Sequence, residues 1–171
     1  MNKEKAQVLD REKILAIGKF AILLGLSVSA PLFNIQLITG PMVNALLFIA
    51  TILIGPYSAI IIGALPSAFA LSVGLLPVVL APMIPFVIIS NAILVLFFHY
   101  FQKKNYWLGV FTASILKYIF LFIVSQILIN LLIKGGSVAR VVVVMMSWPQ
   151  LATALLGGFI AYLFLKFIKK I

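Results

Sequence analysis

From Phe20 to Gln102 the chain carries no Lys, Arg, Asp or Glu. A soluble domain averages about 25% charged residues, so an uncharged stretch of this length has little to offer water. A membrane-crossing helix needs about 20 mainly apolar residues, and this stretch is long enough for several. The whole chain agrees: its 171 residues are 64% hydrophobic and 9% charged. The expected class is an all-α membrane protein.

Gly and Pro punctuate the apolar text at Pro31, Gly40-Pro41, Gly55-Pro56, Pro77 and Pro82, each able to end a helix or start the next. The expected spans are Ile14 to Phe33, Met42 to Ile54, Tyr57 to Leu75, Met83 to Phe101, Tyr106 to Ile133 and Val141 to Phe167. This is a six-transmembrane-helix bundle in a single integral membrane domain over 1–171, with a leader over 1–13, the bundle over 14–167 and a basic tail over 168–171. The second span is short for a full crossing. It either begins near Leu37 or is shielded by neighbouring helices.

Basic residues set the orientation. Lys3, Lys5, Arg11 and Lys13 precede span one, Lys103 and Lys104 follow span four, and Lys166, Lys169 and Lys170 close span six. An even number of spans puts all three groups on one side, so the positive-inside rule makes both termini cytoplasmic. The opposite side receives only Lys134 and Arg140. The expected location is the cytoplasmic (inner) membrane of a prokaryote, multi-pass. Val28-Ser29-Ala30 has the form of a signal-peptidase site, but Pro31 directly after it argues against cleavage. A surplus of 13 Lys and Arg over 3 Asp and Glu would suggest nucleic acid in a soluble chain; clustered at the ends of apolar runs it reads as membrane topology, with no nucleic-acid partner.

The acidic residues are Glu4, Asp10 and Glu12, all before the first apolar run. No carboxylate base exists from Lys13 onward. With no Cys and a single His, His99, a Ser-His-Asp triad, a thiol nucleophile and a multi-ligand metal site are all missing within one chain. There is no phosphate loop and no carboxylate to hold magnesium, so ATP-derived energy must come from a partner. Proton relays in membranes commonly use Asp, Glu or His, which disfavours a proton-coupled carrier. No enzymatic activity and no cofactor are expected.

Membrane helices associate through close packing of small residues. Ala21, Gly25 and Ser29 recur at spacings of four in span one, Ala59, Gly63 and Ser67 do so in span three, and span six has a broader stripe of Thr153, Ala154, Gly157, Gly158 and Ala161. The last two stripes read best as packing within the bundle. For Ala21, Gly25 and Ser29, nearest the terminus, docking to another protein is an equal reading.

Asn34, Gln36, Asn44, Asn91, Gln126, Asn130 and Gln150 interrupt the apolar runs, and in hydrocarbon each must find a partner. Interhelical bonding and ligand contact are both open. In the expected topology all but Asn91, near the middle of span four, lie in the outer half or the outer loops. Gln126 and Asn130 share one helix face, while Lys117 lies about 180° away at roughly 100° per residue. With no membrane carboxylate to pair with, Lys117 must bond carbonyls, hydroxyls or a ligand anion, or else be neutral. In Ser147-Trp148-Pro149-Gln150, Pro149 is expected to bend span six and free a carbonyl one turn earlier, and Trp148 either stacks on a ring or anchors at the interface. Lys19 and His99 sit near span ends, where snorkelling and interfacial roles suffice.

Three segments carry a family resemblance: Asn34 to Asn44 (NIQLITGPMVN), Leu76 to Pro85 (LPVVLAPMIP) and Met146 to Gln150 (MSWPQ). With six spans, outer polar residues and no ATPase, the chain resembles an energy-coupling factor (ECF) transporter S component. The resemblance covers essentially the whole chain and implies a subunit that captures a vitamin or similar micronutrient outside the cell. It also implies an outer pocket covered by the loops after spans one and three and lined by spans four to six. Asn34, Gln36, Asn91, Gln126, Asn130, Trp148 and Gln150 are the matching positions. The implied partners are a transmembrane coupling (T) subunit, facing spans one to three, and two cytoplasmic ATPases that power toppling of the S component. The family's Ala-x-x-x-Ala on helix 1 stands here as Ala21-x-x-x-Gly25.

The alternative is a structural or assembly subunit, or a passive pore, using the same faces without binding solute. The absence of pocket carboxylates disfavours a strongly cationic substrate, although aromatic faces can hold cations. Lys117, Lys134 and Arg140 leave room for an anionic or neutral ring compound.

Overall fold

In the computed structural model, residues 3–75, 78–132 and 143–171 are described, with side chains for 11–75, 78, 80–129 and 143–171. Every described element is helical: α1 (Lys3–Ser29), a 3-10 turn (Ala30–Phe33), α2 (Gln36–Leu53), α3 (Pro56–Ser72), a second 3-10 turn (Val78–Met83), α4 (Ile84–Phe101), α5 (Tyr106–Leu132) and α6 (Trp148–Phe167). Five stretches are long and apolar enough to cross a membrane: Arg11–Phe33, Gln36–Leu53, Leu80–Phe101, Tyr106–Ile129 and Val143–Phe167. Large apolar side chains cover the outside, among them Ile14, Ile22, Leu108, Phe111 and Leu163. Such a surface suits lipid rather than water.

One expectation is decided and one is corrected. The second span, expected from Met42 with a start near Leu37 as the alternative, takes the earlier start: α2 begins at Gln36 and runs through Pro41. Pro41 lies early in the helix and removes only the donor that would serve the Leu37 carbonyl, on an exposed residue. The short helix is therefore α3, 17 residues with Pro56 in its first turn and Pro66 inside. The expected bend at Pro149 is in fact a break. Ser147 has φ −102° and ψ −133°, and α6 begins after it with Pro149 in the first turn, where a missing N–H costs nothing.

α2 runs through the centre, against α1, α3, α4 and α6, while α5 packs on α4 and α6. Small residues set these distances. A Cβ on Gly157 of α6 would lie 2.7 Å from Asn44 Cβ and 2.8 Å from the Pro41 carbonyl oxygen, and one on Gly158 would overlap Val110 of α5. Ala59, Gly63 and Ser67 of α3 are buried, as are Thr153, Ala154 and Ala161 of α6. Both stripes pack inside the bundle. The helix-1 stripe differs: Ala21, Gly25 and Ser29 are exposed, and nothing lies within 4 Å of a Cβ on Gly25.

The interior is layered. Near the Lys103-Lys104 end, Phe48 and Phe98 meet edge to face with centroids 4.6 Å apart, and Tyr106 packs on Phe98 at 5.5 Å. The Tyr106 hydroxyl donates to the Gly158 carbonyl at 2.7 Å, tying α5 to α6. Tyr106→Phe is expected to cost about 0.6 kcal/mol, the usual worth of such a bond between membrane helices, readable as a small drop in thermal stability in detergent. At the opposite end Leu80, Met83, Leu121 and Met146 form a second apolar cluster. The polar residues lie between.

Candidate functional site

Lys117 on α5 is 3% exposed, at mid-depth in the bundle. Its Nζ donates to Asn44 Oδ1 on α2 and to Asn91 Oδ1 on α4, each at 2.7 Å. Asn91 in turn donates from Nδ2 to the Gly63 carbonyl on α3 at 2.8 Å. All four residues sit midway along their helices, so antiparallel packing brings them to one level. No carboxylate side chain follows Glu12 in the sequence, and two amide oxygens take its place as acceptors.

Above this layer lies a cavity of about 90 Å³. Its wall includes Lys117, Asn44 and Asn91 at depth, Thr39, Ser67 and Ala70 higher up, and Pro31, Gln36, Leu75 and Gln150 at the end where α1 and α3 finish and α2 and α6 begin. It extends away from the helix ends that carry Lys103, Lys104 and Lys166. The break before α6 shapes its mouth. The Met145 carbonyl, left without a helical partner at the break, accepts from Gln150 Nε2 at 3.1 Å and Gln36 Nε2 at 3.4 Å. Thr39 Oγ1 donates to the Ala30 carbonyl at 3.1 Å and pins the 3-10 turn to α2.

The structure thus gathers Gln36, Asn44, Asn91, Lys117 and Gln150 around one cavity. Asn44 was expected near the outer start of its span; because α2 begins earlier, it lies at mid-depth with Asn91. The other expected site residues lie elsewhere. Asn34 is exposed in left-handed backbone, φ 53°, closing the 3-10 turn. Gln126 is half-buried on α5 away from the cavity wall, in keeping with its position across the helix from Lys117. Trp148 is 63% exposed on the outer surface, the place of an interfacial anchor. Asn130 is on the last turn of α5, but its side chain lies outside the described residues, as do Lys134 and Arg140. Sequence reading passed over Thr39 and treated Ser67 as packing only. For Ser67, a hydroxyl one helical turn from Gly63 on the same face was the signal available; Thr39 has no glycine one turn away.

The cavity draws on α2 and α3 as much as on α4 to α6. Among the described residues no group of three metal-ligating side chains occurs. Comparisons with family models, curated proteins and solved structures find no match to this chain.

Proposed function

We propose that the chain is the substrate-binding S component of an ECF-type importer, taking a micronutrient from outside the cell and delivering it inward with a coupling subunit and two ATPases. The observation that carries this reading is a buried lysine amine held by neutral amides at the floor of a polar cavity, inside an otherwise apolar helical bundle. Buried ionisable groups in membranes mark solute or ion pathways by default. With six crossings and both termini cytoplasmic, the cavity lies in the outer half, where a solute-capturing subunit needs it.

Two of the three segments that carry the resemblance reach this cavity: Asn34 to Asn44 supplies Gln36, Thr39, Gly40, Val43 and Asn44, and Met146 to Gln150 supplies Gln150. No described residue of Leu76 to Pro85 lines it. The unpacked stripe of Ala21, Gly25 and Ser29 is the surface on which the coupling subunit would seat.

Two measurements test the reading. Native mass spectrometry of protein purified from native membranes is expected to find a retained small molecule, and pull-down to recover a membrane coupling protein with two ATPases. Gly25→Leu is expected to reduce that recovery at least tenfold while leaving the retained molecule and thermal stability unchanged, because a side chain there meets nothing within the bundle. An empty protein that never associates with an ATPase module would favour the structural-subunit alternative, in which the Lys117 network serves only to cross-link helices.

A further inference from the structure

The floor of the cavity offers donors and one ionisable amine, with no carboxylate to balance it. Lys117 gives two N–H donors to Asn44 and Asn91 and lines the cavity; protonated, it has a third. Asn44 and Ser67 line the same space, and among the described residues Asn44 Nδ2 and the Ser67 hydroxyl make no hydrogen bond. The acceptors at this level, Asn44 Oδ1 and Asn91 Oδ1, are already turned to the ammonium. Toward the mouth the polarity reverses. Gln36 and Gln150 spend Nε2 on the Met145 carbonyl, which leaves their Oε1 atoms as acceptors.

Protonated with no counter-charge, Lys117 would hold a single uncompensated charge in low dielectric, which is costly. A monoanion removes that cost, whereas a dianion leaves an excess negative charge and a cation adds to the problem. A carboxylate offers two oxygens with about four acceptor sites, enough for the three unspent donors. At roughly 10–15 Å³ per water-sized group, about 90 Å³ holds several such groups.

We propose that the cavity takes a small organic monocarboxylate, its carboxylate seated on Lys117 Nζ, Asn44 Nδ2 and Ser67 Oγ and its own hydrogen-bond donors turned to Gln36 and Gln150. This rests on the solute-binding reading above and names the class of solute.

The test uses the full chain in lipid nanodiscs, with benzoate and benzamide as probes that share a shape and differ in charge, beside identification of the molecule retained from native membranes. Benzoate is expected to bind at least tenfold tighter than benzamide, and the retained molecule to be a carboxylic acid. Lys117→Met should weaken benzoate about thirtyfold or more, the low end for removing one partner of a buried charge contact, and Lys117→Arg should restore part of the loss. Should Lys117→Met fail to fold, Ser67→Ala decides: it leaves both Lys117 bonds in place and should weaken benzoate about fivefold. Equal binding of the two probes, a neutral or cationic retained molecule, or no effect of Ser67→Ala overturns the monocarboxylate while leaving a solute-binding subunit standing. A protein that retains nothing and binds neither probe removes both readings.

Discussion

Gly157→Leu is expected to separate α6 from α2 and to lower stability by about 3 kcal/mol or more, at the upper end for overpacking. The cause is that the added atoms would meet backbone as well as side chain: the Pro41 carbonyl oxygen at 2.8 Å and the Ala45 nitrogen at 2.9 Å from the Cβ alone. Backbone cannot rotate aside, so the helices must move. Asn44, whose Cβ would lie 2.7 Å away, moves with α2, and its bond to Lys117 goes with it. Thermal unfolding in detergent measures the stability loss, and, on the solute-binding reading, retention of a co-purified molecule measures the damage to the cavity. Gly25→Leu is the control for the same substitution at a glycine that packs against nothing; an equal loss there would refute the packing explanation.

Asn91→Leu is expected to cost about 1.5–3 kcal/mol, the usual range for a hydrogen bond to a charged group, and, on the solute-binding reading proposed above, to abolish retention of the small molecule. Asn91 bridges two helices at once, accepting from Lys117 and donating to the Gly63 carbonyl. Leucine fills similar space and supplies neither bond, leaving the ammonium with Asn44 alone. Asn91→Asp would give the ammonium a carboxylate in place of an amide and should also eliminate retention, because the floor would no longer carry a net positive charge. Unfolding in detergent together with mass spectrometry of the purified variants checks both. A stable Asn91→Leu protein that still holds its molecule would refute the role given to this network.

Much of the architecture was readable from hydropathy and Gly-Pro punctuation, since crossing a bilayer constrains length and apolarity almost independently of neighbours. The small-residue stripes at Gly63 and Gly157 were readable for the same reason: close helix approach demands small side chains wherever it occurs. The helix through Pro41 was one of two open readings. Whether a proline ends a helix depends on whether the carbonyl it orphans is tolerated, and that is decided by what surrounds the turn. The break at Ser147 has the same character, because the freed Met145 carbonyl is satisfied by Gln36 from a distant part of the chain.

The sequence by itself determined that this is a helical membrane protein without carboxylates beyond its leader, and that Lys117 and Gln126 lie on opposite sides of one helix. Those are matters of composition and of a fixed rotation per residue. Only the tertiary structure decided which polar residues meet: Asn44, Asn91 and Lys117 at one level, Gln36 and Gln150 on one carbonyl, Trp148 and Asn34 apart from them. Spacing along a chain places a side chain on a face of its own helix. The depth and rotation at which that face meets another come from the glycine contacts and hydrogen bonds between helices, which no single segment carries.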